Sequence, residues 1–122
     1  MIEQLPDKVN GNAALLRRGR YVSLDFLVGI GETDYVVSVR EGRIDSVAAQ
    51  ALPTHTGLFS IRASREVWAE HWQPLPRRGR HDLFSMVADG VASFDGDLLP
   101  LMQNLQYFKD VLASPRPAKG EG

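Results

Sequence analysis

Between Arg20 and Gln50 the chain alternates apolar and polar residues through three successive runs, and this period of two commits it to an antiparallel sheet. In R-Y-V-S-L-D-F-L-V-G-I, the residues Val22, Leu24, Phe26, Val28 and Ile30 fall on one side. Tyr21, Ser23, Asp25 and Leu27 fall on the other, which is the pattern of a strand covered on one face. Gly31 to Thr33 makes a turn, and D-Y-V-V-S-V-R resumes as a β-branched strand over 34–40. Glu41-Gly42 then supplies the positive φ of a tight hairpin before R-I-D-S-V-A-A-Q, 43–50, completes a meander.

The flanking segments are helical in character. Pro6 and Asp7 open a helix running through Val9, Ala13, Leu15 and Leu16, with Gly11 as a weak point. Pro53 to Thr56 breaks the strand pattern, and G-L-F-S-I-R-A, 57–63, reads as a fourth strand. Ser64 is placed to cap a helix carrying Val67, Trp68 and Trp72 that ends before Pro74. The breaker-rich loop 73–80 leads to a short helix over 81–89, stopped by Gly90, and Val91 to Phe94 suits a fifth strand. Asp95-Gly96-Asp97 turns the chain into a last helix, where Asp97 is a natural cap. On that helix Leu98, Leu101, Met102, Leu105, Phe108 and Leu112 share one face.

Clustered antiparallel strands followed by helices define an α+β fold with helices gathered on one face of a five-stranded, mainly antiparallel sheet. A chain of 122 residues, 43% hydrophobic and 24% charged, fits one such domain, expected over 1–114 with a flexible tail at 115–122. The N-terminus lacks the basic start and apolar run of a secretory signal, and no window reaches the length of a membrane span, so a cytoplasmic location is expected. A net charge of −1 argues against a dedicated nucleic-acid binder.

Catalytic signals are weak. His55, His71 and His81 lack zinc-site spacing and there is no Cys, so neither a metal nor another cofactor is expected. His71, on the same helix as the tryptophans, reads as a surface histidine. No serine sits in a nucleophile-elbow pattern, and Asp25, Asp95 and Asp97 are better explained as strand-face and turn residues. G-I-G-E-T-D, 29–34, lies between strands and is a hairpin rather than a phosphate loop. R-R-G-R occurs at 17–20 and again at 77–80, as surface charge or as contacts to an anionic partner.

With those elements in place, D-Y-V-V-S-V-R-E-G-R-I (34–44), F-S-I-R-A-S-R-E-V-W (59–68) and L-F-S-M-V-A-D-G-V-A-S-F-D-G-D-L-L-P-L-M (83–102) resemble the sterol carrier protein 2 family. The resemblance extends over nearly the whole chain from Arg20. It implies a sheet with helices on one side, an apolar tunnel between the layers for fatty acids, acyl chains or sterol-like lipids, and no catalytic group. The ending K-G-E-G carries no peroxisomal tripeptide, which points to a bacterial-type stand-alone protein.

The expected function is therefore binding or carriage of a hydrophobic ligand without catalysis. Its candidate walls are Phe26, Val28, Phe59, Trp68, Trp72, Phe84, Val87, Met102, Leu105 and Phe108. Arg77, Arg78 and Arg80 are candidates for headgroup or peripheral membrane contact. The alternative is an accessory interaction domain that uses its apolar helix face toward a second copy of itself or a partner enzyme subunit. Whether Trp68 and Trp72 leave a tunnel open is the question the sequence poses.

Overall fold

The computed structural model describes residues 2–50 and 57–117. A short 3-10 turn, Ile2–Gln4, leads into helices α1 (Leu5–Asn10) and α2 (Ala13–Arg18). Strands β1 (Leu24–Ile30), β2 (Thr33–Arg40), β3 (Arg43–Ala49) and β4 (Phe59–Ala63) follow. Then come α3 (Arg65–His71), α4 (Leu83–Ala88), β5 (Ala92–Gly96), α5 (Leu99–Gln103) and α6 (Leu105–Ala113). The sheet order is β3-β2-β1-β4-β5, with β1 and β4 parallel and every other pair antiparallel. This is the expected α+β architecture. The break placed at Pro53 to Thr56 and His55 lie outside the described residues.

The period-two reading is met strand by strand. Phe26, Val28, Val37, Val39, Ile44, Phe59 and Ile61 join Leu5, Val9, Leu15 and the buried residues of α3 to α6 in one core. The opposite sheet face carries the ion pairs Asp25–Arg40 and Asp34–Arg62. Leu27 lies on that polar side yet is only 2% exposed, because its strand is central and flanked by Val36 and Ser60. The β2–β3 hairpin turns with φ of 51° at Glu41 and 81° at Gly42, the left-handed pair a two-residue connection of this hand demands. A side chain at Gly42 would also strike the backbone of Gly19 within 2.8 Å, so the glycine serves both conformation and packing.

Two helices expected to be continuous are each interrupted. The first breaks at Gly11, and Asn12 restarts it by accepting hydrogen bonds from the N–H groups of Ala14 (3.1 Å) and Leu15 (3.2 Å). The last breaks at Asn104, whose side-chain amide donates to the Pro100 carbonyl at 3.0 Å. Leu101, Tyr107, Phe108, Val111 and Leu112 are buried, whereas Met102, expected on the same inward face, is 45% exposed. Asp97, expected as the cap, lies one residue before the N-cap Leu98, which has no side-chain cap, and accepts from the Leu99 N–H at 3.1 Å as a turn residue. The segment after α6 is packed at its start: Pro115 is buried, and the Arg116 guanidinium donates to the His71 carbonyl.

Candidate functional site

The layer between sheet and helices has two unlike parts. At its centre the rings of Phe26, Phe59 and Phe108 lie 5.2 to 5.3 Å apart, one pair stacked and two edge-on, and all three are at most 1% exposed. Such offset and T-shaped pairs bring positive ring edges to negative faces and fill the space they occupy. Tyr107 extends the cluster edge-on from Phe108, and its hydroxyl donates to the Gly42 carbonyl at 2.6 Å. With no charge beside it to offset its burial, that phenol is pushed well above its ordinary pKa.

At one end the layer opens into a cleft of about 260 Å³. Its helical wall is made by Arg65, Trp68, Ala69 and Trp72, residues spaced i, i+3, i+4 and i+7 along and just beyond α3. Ser64 starts this helix by accepting the Val67 N–H at 3.1 Å, which sets the phase of that stripe. Ile30, Thr33 and Tyr35 at the β1–β2 hairpin form the opposing wall, and Ile2 and Glu3 close one side.

The two indoles stack with ring centres 5.2 Å apart and are 0% and 5% exposed. Each ring nitrogen is tied to backbone: Trp68 donates to the Gly29 carbonyl at 2.9 Å, and Trp72 to the Leu112 carbonyl at 2.7 Å. The tryptophans thus bind β1 and α6 to α3 and form the buried floor beside the cleft. Arg65 is exposed at the mouth, its stem lying over Gly31, and has no carboxylate partner among the described residues. The arrangement is an open cleft of mixed lining, aromatic and aliphatic side chains beside Glu3, Thr33 and the Arg65 cation.

Of the expected wall residues, only Trp68 and Trp72 line this cleft. Phe26, Val28, Phe59 and Phe108 belong to the closed core, and Leu105 packs half-buried against it. Phe84 meets Phe94 edge-on and lies beneath the Lys109 ammonium, while Val87 is half-buried on α4. Met102 faces outward. Of the basic loop, Arg77 and Arg80 grip Glu70 of α3, and Arg80 also reaches Asp89 at 3.3 Å, whereas Arg78 is exposed. The Glu70 carboxyl is held below its ordinary pKa chiefly by its hydrogen bond to Arg77. These two arginines clamp the loop to α3. Sequence reasoning missed Ile2, Ile30, Tyr35, Arg65 and Ala69, although the spacing of Arg65, Trp68, Ala69 and Trp72 was visible.

His71 overturns its reading as a surface histidine. It is 1% exposed, because Arg116 and the carbonyl of Arg80 cover the end of α3. Burial, first, and the nearby Arg116 charge hold its pKa below 6.5, against the hydrogen bond to Arg80. With the ring neutral, Nδ1–H donates to the Arg80 carbonyl at 2.8 Å. No group of three or more metal-ligating side chains is gathered among the described residues. No described helix is long and apolar enough to cross a membrane.

An α+β domain with helices packed on one face of a five-stranded, mainly antiparallel sheet is the class of protein that this geometry defines. No protein-family model matches the chain, and no curated protein matches it in sequence. Solved structures do match. A crystal structure of sterol carrier protein 2 superposes with a TM-score of 0.74 at 15% identity, covering 96% of this chain and 94% of its own. A possible sterol carrier protein from Thermus thermophilus gives 0.66 at 16% identity, covering 99% and 88%. UbiJ-SCP2, described as a ubiquinone synthesis protein, gives 0.61 at 19% identity, covering 92% and 85%. The chain has the sterol carrier protein 2 fold, as its sequence resemblance implied.

Proposed function

We propose that the protein binds a hydrophobic ligand, a fatty acid, acyl chain or sterol-like lipid, in the cleft beside Trp68 and Trp72, and carries it without chemical change. The observation that carries the reading is the cleft itself, with indoles fixed beside it by backbone hydrogen bonds and the exposed Arg65 in its lining. Likeness in fold to sterol carrier proteins supports it. A volume of about 260 Å³ lies just below the range that encloses drug-sized ligands, so the slot suits one chain with its polar end at the entrance. Each buried methylene would contribute about 0.8 kcal/mol, so affinity should climb with chain length until the slot is full.

The interaction-domain alternative called for an apolar helix face free to meet a partner. Leu101, Phe108 and Leu112 of that face are fully buried against the protein's own sheet, which leaves that reading unfavoured. The test is titration with a long-chain fatty acid and with a sterol, following tryptophan emission, in the wild type and in Ala69→Trp, where a large ring enters the slot from an exposed helical position. Saturable binding that Ala69→Trp abolishes supports the proposal. Absence of saturable binding to folded wild-type protein overturns it.

A further inference from the structure

A second hollow, of about 260 Å³, lies at the far end of α3, bordered by His71, His81, Asp82, Lys109, Asp110 and Arg116. Gln106, Leu83 and Ala113 complete its border, so polar and charged side chains predominate.

The central residue is Arg116, half-buried just past α6. Its Nε donates to the His71 carbonyl at 3.0 Å, and its Nη2 donates to the same oxygen at 2.7 Å and to the His81 carbonyl at 3.4 Å. Both acceptors are neutral. No carboxylate pairs with this guanidinium among the described residues, and the two N–H groups on Nη1 carry no hydrogen bond there.

The carboxylates nearby are already engaged. Asp82 caps α4 through the Phe84 N–H at 2.9 Å and meets Lys109 at 3.2 Å. Asp110 pairs with Arg18 and accepts from Gln106 at 2.9 Å. On the other side of Arg116 a wider hollow of about 380 Å³ adds Lys8 and Arg18. Lys109 and Arg18 are thus neutralised by Asp82 and Asp110, which leaves the half-buried Arg116 guanidinium as the cation of this hollow that has no carboxylate partner among the described residues. A partly buried cation without a counter-ion is costly, and an anion that accepts its remaining N–H groups relieves that cost.

We infer that this hollow is an oxyanion site, in which Arg116 receives a phosphate group and Lys109 and His81 flank it. A free phosphate and the phosphate of a lipid headgroup offer the same oxygens, so the source is a matter for experiment. The site is separate from the lipid cleft and does not depend on it.

The test is titration of the full chain with inorganic phosphate at constant ionic strength, with chloride as control, following the Arg116 Nε–H and His71 ring signals by NMR. A parallel arm measures binding to phosphatidylcholine vesicles with and without phosphatidic acid. Saturable shifts of those two residues are expected with phosphate and not with chloride. Arg116→Gln should weaken binding about ten- to a hundredfold, the loss of charge-assisted hydrogen bonds, and leave fatty-acid binding in place. Arg116→Lys, which keeps the charge and loses the fork, should fall between. Response to phosphate alone assigns a free oxyanion, and acid-dependent vesicle binding that Arg116→Gln abolishes assigns a headgroup. If wild-type protein answers phosphate no differently from chloride and ignores phosphatidic acid, the inference falls, whatever becomes of the variants. Ala69→Trp should leave phosphate binding unchanged, so failure of the cleft and failure of this site are read separately.

Discussion

The phenylalanine cluster and the tryptophan cleft lie within one layer, yet one is closed and the other open. In the cluster, three rings from β1, β4 and α6 turn edges to faces and leave at most 1% of themselves exposed. In the cleft, two rings on one helix stack with each other instead, and their nitrogens are spent on carbonyls of Gly29 and Leu112. Rings that satisfy one another across the layer fill it. Rings that satisfy one another along a helix leave the facing hairpin uncovered. Aromatic content alone therefore says little about a cavity; the direction of the ring contacts decides.

This contrast predicts that stability and binding separate. The largest effect should come from Phe108→Ala, which removes the ring shared by both edge-on pairs and should cost about 3–5 kcal/mol by urea unfolding. A loss below about 1 kcal/mol, outside the range for a truncated buried aromatic, would mean the centre is not closed. Tyr107→Phe should follow at about 1–3 kcal/mol, since it leaves the Gly42 carbonyl without its buried donor. Neither change should abolish fatty-acid binding in molecules that remain folded.

A pH effect belongs to the far end of α3. The His71 pKa is lowered on folding, so the unfolded chain binds the proton more readily as pH drops below 6.5. His71's contribution should be intact above that value and be lost progressively toward the lower folded pKa. Urea midpoints at neutral and mildly acid pH should show this, with a shallower dependence in His71→Gln. The smallest effect should be Arg65→Gln. Its exposure limits any ion pair with a fatty-acid carboxylate to about 1 kcal/mol, at most about a fivefold loss of affinity, with sterol binding and stability unaltered. An equal loss for both ligands would show that the cation does not distinguish the charged end.

Much of this was legible locally. The alternation of Leu24 to Ile30, the Ser64 cap and the Glu41-Gly42 turn are each written within a few residues, and each forms as read but for the burial of Leu27 on the polar side. What escaped depends on distant partners. Met102, about 100° round the helix from buried Leu101, lies beyond the rim of the face the sheet covers, and His71 is buried because a residue 45 positions away covers it. Arg77 and Arg80 looked available until Glu70 and Asp89 met them. For the site, the α3 stripe was present in the spacing, but its opposition to Ile30 and Tyr35 needed the sheet register.

The stacked indoles have one more consequence. Trp68 and Trp72 are the chain's only tryptophans, and their rings lie 5.2 Å apart at 25°. At that separation their electronic transitions couple, and the pair absorbs as one chromophore with a paired positive and negative band in circular dichroism. The protein thus carries its own gauge of the slot: an occupant that slides or tilts either ring changes the sign, size or position of those bands, with no label attached.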